Sequence, residues 1–481
     1  MRELEVKDLF VLKRFVRPPN RKRGARPTLR PPGSSDPPTC THASPTAVPR
    51  TAMMPRTVLR RCAILAQHVV LDGHLPTGIA PNAVGHFGRC MSSVSIPPPA
   101  CLLGPLEVPL RYMFGPGPSN VPPRILAATA RPIIGHMHSE MFEIMDDIKQ
   151  GIQYAFQTQN NMTVALSGSG HSAMECALVN CVEPGEPVLV GINGMWGERV
   201  AEIAKRIGAD VKTLIKSPGG YFTNEEIDQA LAKHKPVLFF ITHGESSAGI
   251  AHPMDGIGDL CRRHNCLLLV DSVASLGGAP LLMDKQNIDI LYTGSQKALN
   301  GPPGTAPISF NDRACKKMFN RKTKPVSFFL DMALLSNYWG CDGKPARGYH
   351  HTGPVSTFFA LREGLAILAE TGLENSWRLH KEVAEYLYEG LEGLGLKLFV
   401  QDKNLRLPSV TTIAIPAGYN WREIIEYVMK HHQMEITGGL GPSVGMVLRV
   451  GLMGYNCRKT NADKVLVALA DALKHCHKSK V

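Results

Sequence analysis

Ile288-Asp-Ile-Leu-Tyr-Thr-Gly-Ser-Gln-Lys297 is a short apolar run that breaks into a Gly-Ser-Gln turn and ends on one lysine. Just before it, Leu267-Leu-Leu-Val-Asp271 is a second apolar run that ends on a carboxylate. Outward from these two, apolar runs at 163–166, 187–192, 237–242, 266–270 and 288–292 alternate with helix-like stretches at 172–182, 196–207, 224–232 and 257–264. Strand, helix, strand at this spacing predicts a mostly parallel sheet with helices on both faces. After about residue 345 the pattern changes to long helices at 357–370, 373–394 and 421–431, with isolated strands at 409–415 and 446–451. The reading is therefore an α/β protein: residues 105–345 form a large domain and 346–481 a smaller α+β domain, behind an N-terminal extension, 1–104.

The ends of these runs carry the chemistry. A lysine at a desolvated strand end has its ammonium form disfavoured, which frees the amine to attack a carbonyl. Lys297 is thus suited to a Schiff base with pyridoxal phosphate, and Asp271 to keeping that cofactor's pyridine nitrogen protonated, so that the ring acts as an electron sink. Ser167-Gly-Ser-Gly-His171 follows the first strand and opens a helix, where close backbone approach, free N–H groups and the helix dipole favour a phosphate. Trp196, in a glycine-bounded turn, offers an indole to stack on a pyridine ring or to seal a domain interface. Ser246 offers a hydroxyl to the cofactor's phenolic oxygen, and Glu245 reads as a structural cap. Arg449 sits in Val447-Leu-Arg-Val450, an apolar strand where an unpaired guanidinium is costly. It serves either as a clamp on a substrate α-carboxylate or as half of a structural ion pair.

The net charge of +12 suggests nucleic-acid binding until it is divided along the chain. Ten of those charges precede residue 101, and the remaining 381 residues are nearly neutral, which argues against a basic nucleic-acid-binding face on the folded body. The first hundred residues also hold fifteen of the 37 prolines and lack a packable apolar period. From Met53 the text turns arginine-rich, with no acid before Asp72, in the manner of a mitochondrial transit peptide. Residues 1–52 read as sequence ahead of the functional start, and Met91 is a further candidate start. The last residues, Lys478-Ser-Lys-Val481, are like a peroxisomal address ending in valine. Mitochondrial matrix, peroxisome or both are expected, according to the start used. Twelve cysteines without CxxC pairs or metal-ligand spacing read as reduced thiols, no metal site is expected, and no apolar run reaches membrane-spanning length.

Seven separated motifs, in order, carry a family resemblance. They are Gly115-Pro-Gly-Pro-Ser-Asn120, Ser167-Gly-Ser-Gly-His171, Thr242-His-Gly-Glu-Ser-Ser247, Val270-Asp-Ser-Val-Ala-Ser275, Gly294-Ser-Gln-Lys-Ala-Leu-Asn300, Trp339-Gly-Cys341 and Tyr349-His-His-Thr352. From about residue 105 onward the chain resembles the class V aminotransferases among fold-type I pyridoxal-phosphate enzymes. That resemblance implies that Lys297 carries the cofactor covalently, that Asp271 pairs with its ring nitrogen and that Trp196 stacks on the ring. Ser169, Gly170, His171 and Gln296 would hold its phosphate, with Tyr349 and Thr352 arriving from the second subunit of a homodimer. Arg449, aided by backbone near Gly115, would grip the substrate carboxylate. The implied reaction moves the amino group of L-alanine or L-serine to glyoxylate, with Lys297 as general base and then acid. Three other readings compete: a transaminase for a larger, kynurenine-type donor, a desulfurase using Cys341 as nucleophile, and a non-catalytic polyanion binder acting through the basic tail.

Overall fold

The computed structural model describes residues 96–476. The transit-like segment, both candidate starts and the Lys478-Ser-Lys-Val481 terminus lie outside the described residues. The chain divides into two compact units, 1–104 and 105–481. Of the first, the described part is a short stretch with one 3₁₀ turn, Ala100–Leu102.

In the second unit, β1 (Met162–Ser167), β2 (Pro187–Ile192), β3 (Asp210–Ile215), β4 (Leu238–Thr242), β5 (Leu267–Asp271), β6 (Ile290–Tyr292) and β7 (Thr305–Phe310) form one sheet. Their spatial order is β1-β7-β6-β5-β4-β2-β3. All neighbours run parallel except β7, which is antiparallel to both β1 and β6. The predicted helices appear as Gly170–Cys181, Met195–Arg206, Asn224–His234 and Ile257–Arg263. Every residue of β4 and β5 is buried, as strands covered by helices on both faces must be.

β3 and β7 were not legible, for two physical reasons. β3 is a sheet edge whose Asp-Val-Lys-Thr-Leu-Ile text is partly exposed, so it lacks the continuous apolar signature. β7 contains Pro307, which argues against an inner strand because it cannot donate to a ladder. The strand is nonetheless inner: Pro307 faces Ala165, and its carbonyl accepts from Thr293 N at 2.9 Å.

A large hydrophobic core joins this sheet to its helices, including Ser139–Phe156, whose Met141, Met145, Ile148, Ile152 and Phe156 make one buried stripe. The Val355–Thr371 helix also lies on this core. Within that helix Gly364 approaches the turn after Lys297 so closely that a Cβ there would stand 2.3 Å from the Leu299 carbonyl oxygen. A second core gathers the Leu373–Gly393, Trp421–His432 and Lys459–His475 helices with a small sheet. That sheet is β8 (Thr411–Ala414), β9 (Thr437–Gly438) and β10 (Val447–Val450), with β10 in the middle and both neighbours antiparallel to it. Phe114, far upstream in the chain, belongs to this second core, and its carbonyl accepts from Gly451 N at 2.8 Å.

Candidate active site

The carboxyl ends of parallel strands are where an open α/β sheet collects ligand-binding residues, since helix starts and loops converge there. Here β1, β4, β5 and β6 bring their ends to one cavity of about 310 Å³. Ser169, Gly170, His171, Trp196, Ser246, Asp271, Gln296, Lys297 and Arg449 all line it. Gly115 does not, but the next two residues, Pro116 and Gly117, do.

Lys297 follows β6 after a four-residue turn, and its Nζ donates to the Pro116 carbonyl. Burial pushes its ammonium down to about 8, helped by the Arg449 charge and opposed by Asp271 and Glu435. Gly117 has φ +107°, and a Cβ there would fall 2.3 Å from Nζ, so the backbone opposite the lysine leaves no space for a side chain.

Asp271 closes β5 in register with Tyr292, the last residue of β6. Its Oδ1 accepts from Val273 N at 2.8 Å and its Oδ2 from the Tyr292 hydroxyl at 2.8 Å. Burial pushes the carboxyl up to about 6, against these two hydrogen bonds and the Lys297 charge. Tyr292 was missed because a tyrosine closing an apolar strand reads as core. The signal that would have found it is register, since equal-length apolar runs on neighbouring parallel strands bring their last residues side by side.

Trp196 opens the Met195–Arg206 helix, and its indole N–H donates to Ser246 Oγ at 3.0 Å. That leaves the Ser246 proton available to a ligand. Glu245 is the cap expected of it: Oε2 accepts from Trp196 N at 3.1 Å and Oε1 from Ser247 N at 2.9 Å. Burial pushes this carboxyl up to about 7 against those bonds.

The phosphate cup opens the Gly170–Cys181 helix with Ser169 at the N-cap position, and no side chain caps it. Buried His171 Nε2 and Gln296 Oε1 have no hydrogen-bond partner, and burial lowers the His171 pKa. An uncapped helix start beside two orphaned polar atoms is a fitting cradle for an anion.

Arg449, in the middle of β10, donates through Nε to the Gly438 carbonyl at 2.7 Å and through Nη1 to the Ser246 carbonyl at 3.3 Å. No carboxylate pairs with it among the described residues, and burial pushes its pKa down to about 10, opposed by Glu245. A structural ion pair, one of the two readings of this arginine, is therefore absent there. Tyr349 and Thr352 do not reach this cavity: both are exposed, and Tyr349 rests edge-on against His136 at 5.6 Å. Cys341 is buried, with its Sγ beside the Thr163 and Trp339 carbonyls, and it does not line the cavity. A desulfurase needs its thiol within reach of the substrate's sulfur in the cavity, so that reading fails on position.

A buried amine, a buried carboxylate, an anion cradle and an unpaired guanidinium around one cavity define a site that moves amino groups between carboxylate-bearing carbonyl compounds. The residues between 111 and 461 match the family model described as aminotransferase class-V, and the chain belongs to that family. It is 60% identical over 405 residues to the alanine–glyoxylate aminotransferase of Felis catus, covering 84% of this chain and 97% of that one. The Drosophila melanogaster enzyme of the same name is 47% identical, covering 79% and 97%. A crystal structure of the Nostoc sp. alanine–glyoxylate aminotransferase superposes with a TM-score of 0.75 at 44% identity, covering 77% of this chain and 97% of that one.

The chain is thus an aminotransferase, and the cofactor of its class is pyridoxal phosphate. The orphaned His171 and Gln296 atoms and the uncapped helix start fit that cofactor's phosphate. The depressed Lys297 pKa has a measurable consequence for its capture. The free amine is the reactive form, so trapping of added pyridoxal phosphate by the apoprotein should speed up as pH rises through about 8 and level off above it. A stopped-flow rate that keeps climbing toward about 10, the range of an ordinary lysine, would show that Lys297 is solvated.

Proposed function

We propose that this chain transfers the amino group of L-alanine or L-serine to glyoxylate, yielding pyruvate or hydroxypyruvate and glycine. The observation that carries this reading is that Lys297 and Arg449 face the same cavity, one a buried amine and the other a cation without a carboxylate partner. The names of the relatives at 60% and 47% identity support the choice of substrates. They favour it over a larger, kynurenine-type donor.

In this reading Lys297 holds the cofactor's aldehyde, and Ser169, Gly170, His171 and Gln296 hold its phosphate. Asp271 faces the ring nitrogen, Trp196 the ring face and Ser246 the phenolic oxygen. When bound, the cofactor supplies a carbonyl that takes up the amino group and a ring that accepts the electron pair left on the substrate's α-carbon. Arg449 fixes the carboxylate, orienting the α-carbon proton toward Lys297. Once the donor's amino group has displaced it from the aldehyde, the freed lysine amine would take that proton and deliver it to the former aldehyde carbon, acting as base and then acid. Burial of Lys297 and Asp271 keeps water from competing for either proton.

The working unit in this reading is a homodimer in which Tyr349 and Thr352 complete the partner's phosphate cradle. Their exposure, away from the cavity of their own chain, supports that assignment. The division into a large domain at 105–345 and a smaller one at 346–481 belongs to the same reading and is supported by two hydrophobic cores, with the Val355–Thr371 helix crossing to the first and Phe114 to the second. Location in the mitochondrial matrix, the peroxisome or both belongs to the same reading and rests on the arginine-rich text after Met53 and the last four residues.

The test is a pair of half-reactions on protein beginning at Met91, followed by visible absorbance. L-Alanine should bleach the cofactor band and glyoxylate should restore it. A band that L-alanine leaves untouched would refute this substrate assignment.

A further inference from the structure

Thr437 has no role in the reading above, yet it lines the cavity. Its Oγ1 is buried and has no hydrogen-bond partner. A buried hydroxyl left in that state forgoes the hydrogen bonds it would make in water, so a native protein seldom leaves one without a purpose. Three features say what would satisfy it. Thr437 lies directly across from Arg449 in the β9–β10 ladder, so the two side chains share one face of the small sheet. A guanidinium only donates, so Arg449 cannot accept the Thr437 proton. The threonine methyl is on the Gly115 side, where a glycine Cβ would meet Thr437 Cγ2 at 3.3 Å. The hydroxyl, on the other branch of the same Cβ, lies farther from that position than the methyl does.

The geometry points to Thr437 as a second donor to the carboxylate that Arg449 holds. A substrate carboxylate is acceptor-only, and it is the one group common to both amino donors and to glyoxylate. Seated against Arg449, it supplies the acceptor that the protein does not provide. The two residues then hold the carboxylate from neighbouring strands. The hydroxyl fixes its rotation about the guanidinium, which a salt bridge alone sets less firmly. This inference rests on the reading that the substrates are amino and keto acids.

The experiment uses the holoenzyme and two substitutions. Thr437→Val keeps the shape and removes the hydroxyl, whereas Thr437→Ser keeps the hydroxyl and removes the methyl. The binding probe is propionate, which is L-alanine without its amine and cannot react, titrated by quenching of tryptophan fluorescence. KM and kcat for L-alanine and glyoxylate are measured alongside. In Thr437→Val, the propionate Kd and both KM values should rise about ten-fold, with kcat much less affected, as loss of a bond made equally in ground and transition states requires. Thr437→Ser should stay within about two-fold of the parent protein, because its hydroxyl remains.

The inference is overturned if Thr437→Val matches the parent. It is equally overturned if Thr437→Ser is as weak as Thr437→Val, which would mean that packing matters rather than the hydroxyl. A loss confined to L-serine as donor would overturn it too, since the hydroxyl would then be serving the substrate side chain. A parent protein that neither binds propionate nor consumes L-alanine would instead refute the substrate assignment on which the inference rests.

Discussion

Lys297→Ala should leave a folded protein that no longer holds pyridoxal phosphate through a reducible bond. Borohydride treatment should fix cofactor to the parent chain and release it from the variant on denaturation. Turnover of L-alanine with glyoxylate should fall about 10⁴-fold or more, because one substitution removes both the covalent anchor and the base that moves the α-proton. Folding should survive, since the hydrogen bond lost is a single one from Nζ to the Pro116 carbonyl. The side chain also carries a charge that burial already disfavours. Cofactor still trapped covalently on the variant would mean that another amine forms the bond, and the assignment of Lys297 would fall.

Asp271→Asn should give the second-largest loss, and of a different kind. The amide keeps the shape of the carboxylate and can still accept a hydrogen bond, so cofactor binding and borohydride trapping should persist. What is lost is the negative charge that would hold a proton on the ring nitrogen. Breaking a buried charge pair costs about 3–5 kcal/mol. Applied to the barrier, that is roughly a 10²- to 10⁴-fold drop in kcat. The substitution also turns the Tyr292 hydroxyl, now bonded to Oδ2 at 2.8 Å, toward a weaker acceptor. A variant within ten-fold of the parent in kcat would show that Asp271 is there for Tyr292 and for the β5 turn rather than for the ring.

These two residues were readable because Asp271 closes one buried strand and Lys297 ends the short turn that follows another. An apolar run ending abruptly on Asp or Lys is a conspicuous local signal, and the sheet that gathers such ends follows from the alternation of elements. Trp196 and Ser246 were readable for the same reason. Arg449 was readable because a cation within an apolar run demands an anion, although whether that anion belonged to the protein or to a ligand took the structure to decide. Thr437 gave no such signal. It sits in a two-residue strand, Thr437–Gly438, too short for any period to register, and its importance lies in what stands across the ladder from it. Tyr292 was hidden because an aromatic at the end of an apolar run satisfies the core by itself. The inner strand β7 was hidden by Pro307, whose local text contradicts its place in the sheet. Where neighbours in space supply the meaning, periodicity along the chain cannot.

Gly364 has no polar side chain, touches no substrate and lies 67 positions beyond the reactive lysine, yet a single added methyl there would collide with the carbonyl of Leu299, two residues from Lys297. A ranking of positions by distance from the chemistry would pass over this one. Measured by what it tolerates, it belongs with Lys297 and Asp271: a harmless-looking Gly364→Ala would shift the turn on which the amine is mounted, and would present as a loss of activity in a protein whose reactive groups are all intact.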